Sequence, residues 1–159
     1  MNAPQIEAIR PEHIKDVLQL IKELAVYERE PDAVVIDEDL LQDVLFQQRL
    51  AYGWVAEEKG EVIGLAICYI RFSTWKGPCG YLEDLIVREA HRGKGIGKRL
   101  LDQVVHHAKE QDWPSVQWQV LDWNQPAIDF YESLGAKPQS EWIKYRLDGQ
   151  ALLDLAAKA

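Results

Sequence analysis

Two adjacent acids, Glu83 and Asp84, stand inside an otherwise apolar run, YLEDLIV (81–87), and a glycine-rich stretch, HRGKGIG (91–97), follows almost at once. Each pattern points to a chemistry. A carboxylate drawn into apolar surroundings has a raised pKa and can take a proton near neutral pH. Two neighbours in a regular pleat face opposite ways, so if the sheet is covered on both faces at least one of the two acids is buried. Glu83 is the candidate base and Asp84 its companion. Alternating glycines just before a helix allow a ligand close to the backbone, where unpaired N–H groups and the helix dipole favour an anion such as a pyrophosphate. Arg92, Gly93, Lys94, Gly95, Ile96, Gly97 and Lys98 are the candidate phosphate residues. The dinucleotide fingerprint GxGxxG needs glycine at 98, where Lys98 stands, and the pattern GxxxxGK[ST] needs glycine at 92, where Arg92 stands. A turn that binds nothing is the plainer alternative.

The elements that must position these residues can be read from periodicity. Residues 5–10 alternate as a strand, and Pro11 suits the first turn of a helix that runs to about Glu28 on Ile14, Val17, Leu18, Ile21, Leu24 and Ala25. Asp37 can cap a second helix carrying Leu40, Leu41, Val44 and Leu45. Residues 52–58 and 61–72 read as strands joined by a tight Lys59-Gly60 hairpin, and 80–87 as a third. After the glycine loop come a helix to about Gln111, a strand at 115–121, a short helix at 126–135 closed by Gly135 and a last strand at 142–147. The tail from Asp148 is expected to add a helical turn or two. The order β-α-α-β-β-β-α-β-α-β predicts a mixed α/β sheet with packed helices and excludes strict βαβ alternation.

With 159 residues, 47% hydrophobic and 28% charged, the expectation is one globular domain spanning 1–159. No apolar run is long enough to span a membrane, and residues 1–13 lack a basic-then-apolar leader pattern, so the cytoplasm is expected. A net charge of −8 argues against a nucleic-acid partner and is compatible with a cationic substrate, although solubility alone accounts for it as well. Cys68 and Cys79 lie in or beside apolar segments and read as packing residues. No Cys/His set has zinc spacing, so no metal is expected.

A strand, then R-G-x-G-I-G, then an amphipathic helix resembles the coenzyme A loop of the GNAT N-acetyltransferases, and LDWNQPAIDFYESLGA (121–136) resembles that family's second signature. IKELAVYE (21–28), STWKG (73–77), YLEDLIV (81–87) and VLDWNQPAIDFYESLGA (120–136) together look like the diamine acetyltransferase group, which includes spermidine/spermine and thialysine Nε-acetyltransferases. STWKG and VLDWNQ are closer to the thialysine branch.

The resemblance implies an acyl-CoA N-acyltransferase fold, acetyl-CoA as co-substrate, a small cationic amine as acceptor, direct attack in a ternary complex and a homodimer. It implies that the edge of Leu85, Ile86 and Val87 pairs with pantetheine, and that Asn124, Pro126 and Ala127 lie along the cofactor. Tyr131, which helical spacing alone would make a core residue, becomes the general acid for the departing sulfur. Tyr27 and Glu28 become substrate contacts, with Glu83 and Asp84 beside the amine. Trp75 becomes a candidate wall of the channel and Glu141 a candidate acid. Ser73 stands where the polyamine branch has an acid and the loop around Glu141 is short, so a short diamine or thialysine-like amine is expected over a long polyamine. An amine of pKa about 10.4 is neutral in only about one molecule in 2,500 near pH 7, a handicap of roughly 4.6 kcal/mol that a proton acceptor must offset. The rivals are a GNAT enzyme for another acceptor, such as a peptide, a protein lysine or an antibiotic, and a non-catalytic acetyl-CoA-binding regulator.

Overall fold

The computed structural model describes residues 3–158. Its sheet has five strands in the order β1 (Gln5–Ala8), β2 (Tyr52–Glu58), β3 (Glu61–Ser73), β4 (Gly77–Val87) and β5 (Val116–Gln117). The first three pairings are antiparallel, and β5 joins β4 in parallel. The β2–β3 turn forms because Lys59 (φ 55°) and Gly60 (φ 81°) both adopt the left-handed region, the geometry that matches the twist of the two strands.

Residues Val62 to Cys68 of β3 are buried without a break, as in a strand covered on both faces. On one face α1 (Ile14–Tyr27) and α2 (Glu38–Gln42), which continues as a π-turn over Asp43–Gln47, share a core with Val55, Val62, Leu65, Ile67 and Ile86. Asp37 caps α2 by accepting the Leu40 N–H at 2.9 Å. The opposite face receives α3 (Ile96–Glu110). Its apolar stripe Ile96, Leu100, Leu101, Val104 and Ala108 is buried, and Leu100 lies over Gly64, where a Cβ would come within 3.0 Å of its Cδ1. Cys68 and Cys79 are buried free thiols, and burial pushes Cys68 up to about 12, so both act as packing groups.

Contacts divide the chain into two compact units, Met1–Leu121 and Asp122–Ala159. The first holds the whole sheet with α1 to α3. The second holds α4 (Gln125–Ser133), closed by Gly135 at φ 89°, and α5 (Gly149–Ala156), the helix expected in the tail.

Two expected strands differ. The segment 115–121 forms a ladder only at Val116–Gln117, and 142–147 forms no strand, although WIKYRL alternates as a strand should. A strand is completed by hydrogen bonds to a neighbour, and alternation does not supply the neighbour. Trp142, Ile143 and Tyr145 are 70%, 76% and 88% exposed.

Candidate active site

The loop between β4 and α3 is anchored at its root. The Arg88 N–H donates to the Ile63 carbonyl at 2.9 Å, and the Arg88 guanidinium faces Asp16 and Glu23 of α1 and Glu61 of β3. Beyond the 3₁₀ turn Glu89–His91, Arg92 is extended, and Gly93 (φ 74°) and Gly95 (φ 75°) take left-handed conformations in which a side chain would be strained. Gly95 is the N-cap of α3, so the first N–H groups of a buried, well-packed helix open onto this turn. Nothing lies within 4 Å of where a Cβ on Gly93 or Gly95 would sit. Open space, left-handed glycines and unpaired N–H groups together form a cradle suited to a pyrophosphate. Lys94 donates to the Ala90 carbonyl at 3.3 Å and Lys98 pairs with Asp102 at 2.7 Å, so both lysines already have partners within the chain.

Beside the cradle, the β4–β5 ladder stops at Tyr81–Gln117. Among the described residues, the stretch 82–87 of β4 has a strand partner on its β3 side only. Its other edge presents backbone groups beside Leu85, Ile86 and Val87, as an extended ligand that pairs like a strand would require.

The acids lie at the centre of β4, and here the regular pleat fails. Ile67 pairs with Asp84 and the next residue, Cys68, pairs with Leu82, so Glu83 is the extra residue of a β-bulge. The bulge removes the strict alternation that would send Glu83 and Asp84 to opposite faces. Glu28, at the end of α1, joins them: the charges of Glu83 and Glu28 both act on Asp84, and Glu83 acts on Glu28. Asp84 is the more deeply set member, half-buried where Glu83 is exposed. Burial first, then the two neighbouring carboxylates, push it from 3.8 up to about 6. Burial and then Glu83 also raise Glu28. Glu83 itself is exposed, which corrects the expectation of a buried Glu83.

Glu28 does not belong to a frayed end. Arg29 turns left-handed (φ 67°), its N–H donates to the Val26 carbonyl at 3.1 Å, and the Glu30 N–H reaches the Ala25 carbonyl at 2.8 Å. This double closure is a Schellman motif and fixes Tyr27 and Glu28 in the last turn. The Tyr27 ring carries the Arg92 guanidinium 5.0 Å from its centroid. Two tyrosines that the motif reading passed over lie near the acids. Tyr69 and Tyr81 stack at 4.8 Å, and burial followed by neighbouring groups that include Glu83 raises both hydroxyls.

Trp75 is 84% exposed on the β3–β4 turn, where the Ser73 hydroxyl accepts from the Trp75 and Lys76 N–H groups at 3.3 and 3.2 Å. In the second unit Asn124 is buried and caps α4, its side chain accepting from the Ala127 N–H at 3.4 Å, with Pro126 in the first turn. Tyr131 lies half-buried on α4, its ring 5.3 Å from that of Phe130, and Glu141 is exposed. A separate His/acid cluster, Glu7, His13 and Glu57, ties β1 to β2. Arg10 already supplies a cation there, with one Nη 2.6 Å from Glu7 and the other 3.3 Å from His13 Nε2.

The model of the acetyltransferase (GNAT) family matches residues 14–136. The chain belongs to the GNAT family. It is an acetyl-CoA-dependent N-acetyltransferase. The chain is 37% identical over 155 residues to a thialysine N-epsilon-acetyltransferase from Bos taurus, a match covering 90% of this chain and 91% of the relative. It is 34% identical over 152 residues to a spermidine/spermine N(1)-acetyltransferase-like protein 1 from Homo sapiens, covering 89% of this chain and 22% of that protein. Among solved structures, an integron cassette protein from the mobile metagenome of V. cholerae superposes with a TM-score of 0.81 at 28% identity, covering 98% of this chain and 99% of that one. In this GNAT chain the glycine loop is legible as a motif. The bulge that gathers the acids was signalled in the sequence only by the adjacency of two acids in an apolar strand.

Proposed function

We propose that the protein acetylates the primary amine of a small cationic substrate, a short diamine or a thialysine-like amine. The observation that carries this reading is the group of three carboxylates, Glu28, Glu83 and Asp84, at the end of α1 and the bulge of β4. A group of negative charges attracts a cation and also receives its proton. Asp84, held at about 6, is matched to accept a proton near neutral pH, and solvent-exposed Glu83 passes it to water. The thialysine acetyltransferase name of the bovine relative supports the same class of acceptor.

The cradle of Arg92 to Lys98 fits the phosphates of acetyl-CoA, and the edge at Leu85, Ile86 and Val87 fits its pantetheine arm. Acetyl-CoA, when bound, supplies an activated acyl group on a thioester. Main-chain N–H groups of that edge are the donors available to a developing negative oxygen. The Tyr131 hydroxyl gives its proton to the departing sulfur. Asn124 and Pro126 set the first turn of the helix that carries Tyr131, and Ala127 lies in that turn. Trp75 and Glu141 are exposed and serve as outer substrate contacts.

A single functional domain, a homodimer and a cytoplasmic setting belong to this reading. The exposed apolar segment Trp142 to Leu147 and the exposed leucines of α5 support an interface. The free buried cysteines suit a reducing compartment. No described helix is long and apolar enough to cross a membrane.

The test is thiol release from acetyl-CoA with thialysine, lysine, putrescine, spermidine, spermine, a peptide and an aminoglycoside. Turnover on thialysine or a diamine, lowered about 100-fold in Tyr131→Phe, supports the reading. Turnover confined to the peptide or the aminoglycoside overturns the substrate class, and coenzyme A binding without any turnover favours a regulator.

A further inference from the structure

We propose that Tyr27 is a positioning residue for the cofactor's phosphates: its ring holds the Arg92 guanidinium at the mouth of the α3 cradle. The proposal rests on the reading of that loop as the phosphate site. Two contacts fix Arg92. Its Nε–H donates to the Val87 carbonyl at 2.9 Å, and its guanidinium carbon lies 5.0 Å from the Tyr27 ring centroid. The first contact uses the Nε donor and leaves the terminal amino groups as the donors for an anion. The second restrains the plane of the guanidinium, so less freedom is lost when a phosphate arrives.

Tyr27 is itself fixed, because the Schellman closure at Arg29 and Glu30 orders the last turn of α1. The same helix is tied to the root of the loop by Arg88, which faces Asp16 and Glu23. The end of α1 therefore serves both halves of the site: Tyr27 orders the anion side, and its neighbour Glu28 belongs to the acid group.

The test is calorimetric titration of coenzyme A into the full chain, with thermal melts of each variant. Wild type, Tyr27→Phe, Tyr27→Leu, Arg92→Leu and the double Leu variant are compared. Tyr27→Phe keeps the ring and retains the wild-type Kd. Tyr27→Leu weakens binding roughly two- to fivefold, the range expected of an exposed cation–π contact. Arg92→Leu weakens it about tenfold or more, as loss of a charge-assisted contact requires. In the Arg92→Leu background, Tyr27→Leu has no further effect. The proposal is overturned if Tyr27→Leu leaves the Kd unchanged, if it weakens binding equally in both backgrounds, or if Arg92→Leu binds as wild type does. Failure of wild type to bind coenzyme A removes the phosphate reading itself, an outcome distinct from these three.

Discussion

The two ends of the proposed site would meet opposite charges with different materials. At the N-terminus of α3 an anion would meet the backbone: left-handed Gly93 and Gly95, and N–H groups that the helix cannot pair internally. The lysines there are secondary, since Lys98 already pairs with Asp102. At the bulge of β4 the charge resides wholly in side chains, Glu28, Glu83 and Asp84. A site built on backbone N–H groups fails when φ is disturbed, and Arg92 is the side-chain charge added to it. A side-chain site carries a standing cost because like charges are held together and partly out of water.

The largest effect that separates the two ends is expected at Asp84. Its folded-state pKa lies above its ordinary value, so its contribution to stability is full below about pH 4 and is lost as the pH rises through about 6. Above that, the ionised carboxylate costs on the order of 3 kcal/mol, the equivalent of a rise from 3.8 to about 6. Asp84→Asn should therefore raise stability at pH 8 by up to about 3 kcal/mol, gain nothing at pH 4, and lose acetyl transfer. Urea unfolding at the two pH values reads the first part, and equal gains at both would remove Asp84 from its assigned environment.

Next comes Gly95→Val. Forcing a β-branched residue to φ 75° costs about 1–2 kcal/mol, so coenzyme A should bind roughly 5- to 30-fold more weakly, with the Km for the amine unchanged. An unaltered Kd by calorimetry would show that the turn does not need its glycine.

A smaller effect should follow at Glu28. Glu28→Gln removes one of the two charges that hold Asp84 up, so the acidic limb of the pH–rate profile should move to lower pH, by less than Asp84 is raised in total. A limb that stays in place would leave burial and Glu83 as the causes.

Smallest is Lys98→Ala. Its ion pair is exposed, and exposed pairs contribute only about 0.3–0.5 kcal/mol, so melting temperature and coenzyme A affinity should both stay near wild type, the latter within about threefold. A tenfold loss of affinity would move Lys98 from bystander to phosphate ligand and make the two ends more alike.

Much was legible beforehand where the cause is local. The Lys59-Gly60 hairpin, the Asp37 cap, the stripe of α3, the Gly135 stop and the loop 91–97 each depend on residues within a few positions of one another, and each formed as expected. Expectation failed wherever the cause lay far along the chain. The strand at 142–147 needed a neighbour that its own alternation cannot provide, and β5 stopped at two residues, leaving the β4 edge open.

The sequence by itself determined that this protein has a glycine-rich turn at the start of α3 and a pair of acids in a central strand, because glycine conformation and helix polarity are properties of short segments. Only the tertiary structure decided which acid is drawn further from water. The register between β3 and β4 slips by one residue at Ile67–Cys68, Glu83 becomes the extra residue, and Asp84 is drawn into low dielectric beside Glu28. Register is a relation between two strands, fixed by the packing on both faces of the sheet, and neither strand encodes it alone.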